Sequence, residues 1–183
     1  MKYFTPAWWA MEVESTDAVV QDYWRYIDSI RPHLTAGIRS LLDDIALHDS
    51  KVRRFAVDIP SQTTLLLLDG FVDPWNPPGT ARRRFSLLYQ GVTTVESTND
   101  GGWVSEHLDN SDLGYHEIEF LAGGTFEHRM LFASGIELIL RFRDLQVSYE
   151  PLPETDAEPC AAPNGGPATP VGDSDGSGGG RHR

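Results

Sequence analysis

The sequence predicts an α+β domain, an N-terminal helical hairpin over 15–47 followed by an antiparallel β-sheet of about six or seven strands over 50–149. Three observations predict it. Apolar residues recur at helical spacing only before position 47, and after it they alternate with period two. The alternation is cleanest over 114–149, where two Gly-containing loops divide three strand-length runs.

In chain order, Tyr3, Phe4, Trp8 and Trp9 form an aromatic opening suited to packing on a core or covering a sheet edge. Ser15 or Thr16 can cap a helix whose apolar stripe is Val19, Tyr23, Ile27 and Ile30, widened by Val20 and Trp24. Pro32 ends it. Leu34, Ile38, Leu41, Leu42 and Ile45 then make a second stripe after a connection short enough to imply a hairpin. At Leu47-His48-Asp49 the period changes, which marks a helix-to-strand turn.

Phe55, Val57 and Ile59 alternate with Arg54, Ala56 and Asp58 in a first strand, and 63–68 is an apolar run of buried-strand type. A Pro-rich loop is expected over 69–80 and a strand over 84–89, with 91–95 as its continuation or a separate strand. A turn-rich break covers 97–102, and 103–110 fits a short helix or an extended edge. Beyond 149 the periodicity stops, so 150–183 is expected to be a disordered Pro/Gly-rich tail and 1–149 a single domain.

Register within the meander follows from its faces. With Ala122-Gly123-Gly124 as a three-residue loop, Phe120 pairs with Phe126, Ile118 with His128 and His116 with Met130. With Ala133-Ser134-Gly135 as the second loop, Phe126 pairs with Phe142. A one-residue slip would turn the apolar row to water. The same register makes His116 and His128 diagonal neighbours on one face.

Charge and composition exclude several functions. A net charge of −12 opposes nucleic-acid binding, which needs clustered Lys and Arg, and suits a basic protein partner. The one basic run, Arg82-Arg83-Arg84, is divided between two faces by strand geometry and reads as solvated charge. No run approaches the ~20 apolar residues of a membrane span, and MKYFTPAWWA lacks the pattern of a signal peptide. The single cysteine, Cys160, allows neither an internal disulfide nor a thiolate metal cluster, as expected in a cytoplasmic protein.

The MKYFT start with nearby tryptophans, the Leu47-His48-Asp49 junction and the meander resemble small bacterial proteins of a domain-of-unknown-function family. Some relatives of that type lie beside polymorphic toxins and are suspected immunity proteins. The resemblance implies an immunity-like binding protein and carries over no catalytic residue.

A site has to be assembled from His48, Asp49, His116 and His128, with Glu117 or Glu119 beside them. Imidazole and carboxylate are correct ligand types for zinc, and would make a small metal-dependent or acid–base enzyme. Yet HExxH, CxxC and GxSxG patterns are absent, and Glu117 and Glu119 point away from His116 on the same strand. Histidines among Phe, Ile, Met and Leu read first as core residues, and His48-Asp49 as a structural corner. The expectation is therefore a non-catalytic protein-binding module without metal or cofactor.

Overall fold

The computed structural model describes residues 1–9, 16–72, 82–99 and 112–152. Helices α1 (Pro6–Trp9), α2 (Thr16–Ile30) and α3 (Ala36–Asp44) precede eight strands. These are β1 (Ile45–Asp58), β2 (Thr63–Val72), β3 (Arg83–Gln90), β4 (Thr94–Asn99), β5 (Asp112–Leu121), β6 (Thr125–Phe132), β7 (Ile136–Phe142) and β8 (Asp144–Pro151). All described pairings are antiparallel, in the order β4-β7-β6-β5-β1-β2-β3-β8. Helices followed by a large antiparallel sheet are thus present, with eight strands in place of six or seven.

The sheet is folded over on itself. β3 pairs with β8 from Arg83↔Pro151 to Gln90↔Asp144, and β4 pairs with β7 from Thr94↔Arg141 to Asn99↔Ile136. Residues 83–99 and 136–151 are therefore two long strands paired along their length and bent together. Gly91 (φ +63) sits at the bend, and Arg143 N–H donates to Gln90 O across it. On the far side β1 joins β5, among the described residues, through the pairs Ser50↔Leu113 and Lys51↔Asp112. Half-sheet β1-β2-β3-β8 consequently faces half-sheet β5-β6-β7-β4, with strands passing from one to the other at the corners.

The core lies between the halves. Leu66, Leu68, Phe85, Leu87 and Tyr89 face Ile118, Phe126, Met130, Leu140 and Phe142, all buried. Tyr89 and Phe142 meet edge to face, with ring centroids 5.0 Å apart. The meander register is the expected one, with Phe120↔Phe126, Ile118↔His128, His116↔Met130 and Phe126↔Phe142 in place. Gly123 and Gly124 take φ of +77° and +74° in the first loop, a conformation that costs an L side chain.

Several expectations are corrected. The helices do not form a hairpin packed on itself. A 3₁₀ turn (Arg31–His33) separates α2 from α3, and each helix serves a different half-sheet. Tyr23 of α2 reaches β5, while Gly37 of α3 lies so close to β8 that a Cβ would stand 1.6 Å from Leu145 O. Strand β1 begins at Ile45, so 45–47 are strand and not helix, because Ile45 and Leu47 are buried by the sheet. Asp69 to Val72 belong to β2 and 97–99 to β4, shortening the expected loop and break. Glu150 and Pro151 pair with Arg84 and Arg83, so the sheet runs past 149. Residues 73–80, 103–110 and 153–183, expected as loop, edge and tail, lie outside the described residues.

Candidate functional site

His48 and Asp49 lie within a strand irregularity, not at a helix end. Between the pairs Ala46↔Phe71 and Lys51↔Asp69, β1 advances five residues while β2 advances two. The excess chain arches outward, with Asp49 at φ +61°, a left-handed conformation that Asp tolerates better than most residues. Gly70 on β2 makes room for the arch, since a Cβ there would stand 2.2 Å from Ser50 Oγ. His48 Nδ1 donates to Asp49 Oδ2 at 2.8 Å, and this bond holds the Asp49 carboxyl below its ordinary range. Both side chains are exposed, and the His48 ring packs edge-on against Tyr115 at 4.7 Å.

The other two histidines meet as the register requires. His116 Nδ1 lies 3.1 Å from His128 Nε2, and His128 Nδ1 lies 2.8 Å from the Tyr89 hydroxyl. Tyr89 is fully buried, burial keeps its hydroxyl protonated, and among the described residues that O–H has no acceptor but His128 Nδ1. The bonding direction follows: Tyr89 O–H donates to His128 Nδ1, and His128 Nε2–H donates to His116 Nδ1. Burial, with His48 nearby, depresses His116 to about 4. Burial and the neighbouring His116 hold His128 well below the usual imidazole range. Three strands are thereby tied together by a neutral chain. Its nitrogens bond one another, which removes the lone pairs a metal would use.

Glu117 and Glu119 do point away from His116. The Glu117 carboxylate accepts backbone N–H groups of Lys2 (2.8 Å), Tyr3 (2.5 Å) and Phe4 (2.6 Å), fixing the aromatic opening on the outer face of β5. Glu119 takes the Lys2 ammonium at 2.9 Å. Phe4 and Trp8 are buried there against half-buried Tyr115, so the opening packs as expected. Among the described residues no three His, Cys, Asp or Glu side chains converge on a point that could hold a metal ion.

The basic run is divided. Arg84 Nε donates to Asp69 at 2.9 Å, Arg53 donates to the same buried carboxylate at 2.6 Å, and Arg82 lies over the Phe71 ring. Burial alone would raise Asp69, but the two guanidiniums hold it below its ordinary value. Glu127 repeats the device on the other half-sheet with Arg129 and Arg141.

One surface went unrecognised in the sequence. Five large apolar side chains among the described residues are well exposed, and four of them lie together: Ile59 (80%), Val57 (45%), Val95 (39%) and Phe55 (37%). Val57, Ile59 and Val95 border an open groove between the β1–β2 hairpin tip and the β3–β4 bend, walled also by Asp58, Thr63 and Val92. Val92 N–H donates to Gln62 O at 2.8 Å and closes one end. Period-two alternation puts Phe55, Val57 and Ile59 on one face of a strand. They do share the face of buried Leu66 and Thr64, but project past the point where the opposite half-sheet can cover them.

A folded-over antiparallel sheet with a helical cover on one side and an apolar groove on the other is the class the geometry defines. No protein-family model matches the chain, and no curated protein matches it.

Proposed function

We propose that the protein is a non-catalytic protein-binding module, of the immunity-like bacterial cytoplasmic type that its MKYFT start and Leu47-His48-Asp49 junction resemble. The observation that carries the reading is the gathering of exposed Val57, Ile59 and Val95 on one groove, with exposed Phe55 on the same strand face as Val57. Exposed apolar side chains scattered singly need no explanation, whereas a contiguous group beside a concavity is the mark of an interface. Polar groups support it: His116 and His128 are spent on each other and on Tyr89, buried Asp69 and Glu127 on arginines, and buried Glu117 on backbone N–H groups.

The partner is a basic polypeptide. The chain as a whole carries −12, while the described residues hold 16 acidic and 13 basic side chains. Most of the excess therefore lies outside the described residues and acts by long-range steering, with local contact set by the groove. Asp58 is the one charged side chain on the groove wall.

Co-expression with the products of adjacent genes tests the reading. A polypeptide should co-purify stoichiometrically with the wild-type chain and be lost with the double variant Val57→Lys and Ile59→Lys. If toxicity of a neighbouring product is unrelieved and no such partner depends on Val57 and Ile59, the reading is wrong. Stoichiometric zinc or nickel in untagged protein would instead favour a small metal-dependent enzyme built on His48, His116 and His128.

A further inference from the structure

We infer that Arg53, Arg82 and Arg84, gathered around buried Asp69, form a binding site for the phosphoryl group of a small phosphate monoester. The site lies toward the other end of β2 from the groove and does not depend on it. Leu68 faces the core, so Asp69 faces outward, and it is nonetheless fully buried. Arg84 Nε donates to Asp69 Oδ1 at 2.9 Å and its Nη2 to Oδ2 at 3.2 Å, while Arg53 Nε donates to Oδ2 at 2.6 Å. One carboxylate thereby fixes two guanidiniums side by side.

Arg53 reaches Asp69 through a β-bulge. From Val52↔Leu68 to Arg54↔Leu67, β1 advances two residues while β2 advances one, so Arg53 is the extra residue. A bulge gives up a regular ladder pair and re-aims a side chain; here the side chain is a cation. Arg82 lies two residues before Arg84 on the same face, with its guanidinium 5.2 Å from the centre of the Phe71 ring.

The fold builds this device twice, and the two copies differ in their surroundings. On the other half-sheet, buried Glu127 holds Arg129 and Arg141. Glu119 stands across the ladder from Glu127, and Glu137 and Glu96 lie near the two arginines, so their charge is met within the fold. Asp69 instead has Lys51 across one ladder and Arg84 across the other. Asp112 stands opposite Lys51, Glu150 opposite Arg84, and Asp49 within the field of Arg82. Yet among the described residues Arg53 bonds through Nε alone, leaving both Nη groups as donors, and Arg82 makes neither hydrogen bond nor ion pair. Fixed guanidinium forks with donors to spare match an oxoanion.

A phosphate monoester carries close to two charges on three acceptor oxygens, enough to take donors from more than one guanidinium. A nucleic acid or an anionic bilayer would set an extended row of charge against a chain of −12. A small dianion feels chiefly the charges within a Debye length of about 8 Å.

The test titrates the full chain with phenyl phosphate and, separately, benzoate, read by calorimetry and by the arginine Nε–H resonances. Phenyl phosphate should saturate by about 1 mM and move the Arg53 and Arg84 resonances, with benzoate about tenfold weaker or more. Arg82→Gln should weaken phenyl phosphate about tenfold, and Arg82→Lys, which keeps the charge without the fork, about threefold. Arg143→Gln removes the same charge at the β3–β4 bend and should leave binding unchanged. No saturation by about 10 mM, wild-type binding by Arg82→Gln, or equal weakening by Arg143→Gln each overturns the site. Tighter binding of a duplex or an anionic vesicle than of the monoester overturns the small ligand.

Discussion

Acid should weaken this fold in a window set by the paired histidines. His116 is held near 4 in the folded protein, against about 6.5 in an unfolded chain. A depressed histidine means the unfolded state binds more protons between those values, so stability rises with pH there. The contribution is complete above about pH 6.5 and is lost as pH falls toward 4. At pH 5 the difference works out at about 2 kcal/mol for His116 alone, and His128 acts in the same direction. That is a large part of the roughly 5–15 kcal/mol of a typical domain. Asp69 and Glu127 also lose stabilising charge in acid, but both are held below ordinary values of 3.8 and 4.5, so their loss comes at lower pH. The check is urea unfolding at pH 7.5, 6 and 5 for the wild type and His116→Gln, which keeps an acceptor for His128. The wild type should lose at least about 2 kcal/mol over that range and the variant about 2 kcal/mol less. Equal losses in the two proteins, or none in either, would refute the buried neutral chain.

Five substitutions probe the packing and the surface. Gly37→Ala puts a methyl 1.6 Å from the Leu145 carbonyl oxygen, and the backbone on both sides prevents relief. It should cost about 3 kcal/mol in chemical unfolding despite the ~1 kcal/mol helix preference of Ala. Gly114→Ala meets the Trp9 ring at 1.9 Å, so the ring swings away, for about 1–2 kcal/mol and a shifted tryptophan emission. Tyr23→Phe leaves the buried Ile118 N–H without its acceptor and should lower stability by about 1–3 kcal/mol, while Tyr26→Phe, half-buried, should cost under about 1 kcal/mol by the same melts. Val57→Lys sits at an exposed position and should change stability by less than about 0.5 kcal/mol, which separates its binding effect from folding.

What the sequence revealed was local. Period two and three-residue loops placed His116 opposite Met130 and beside His128, since a slip of one residue would have exposed Phe126, Met130 and Leu140. The Tyr89 contact was not legible, because β3 lies four strands from β6 in the sheet and only the fold-over brings them within 2.8 Å. Nor was the end of the helical stripe. Ile45 continues the spacing of Leu41 and Leu42, and a buried residue looks alike at the last turn of a helix and the first of a strand. Two helices joined by three residues resembled a hairpin for a similar reason: an amphipathic stripe states that a face is buried, not against what.

The same limit explains the missed surface and gives it meaning. An apolar row in a strand predicts that something covers it, and for Phe55, Val57 and Ile59 the described chain does not supply the cover. Folding a sheet over closes two corners through continuous strands and leaves two sides open. Here α2 and α3 fill one, with Tyr23, Ile27, Ile38 and Leu41 buried and His33 stacked on Phe120 at 4.6 Å. Were the other side an unused end, its edge strand would be short or apolar-free, since bare apolar edges invite aggregation. It is instead the second half of a fourteen-residue strand. Arg54 and Asp58 lie on one face and Phe55 and Val57 on the other, with Pro60 just past the strand end. Charges on one face oppose indiscriminate stacking while the apolar face stays available.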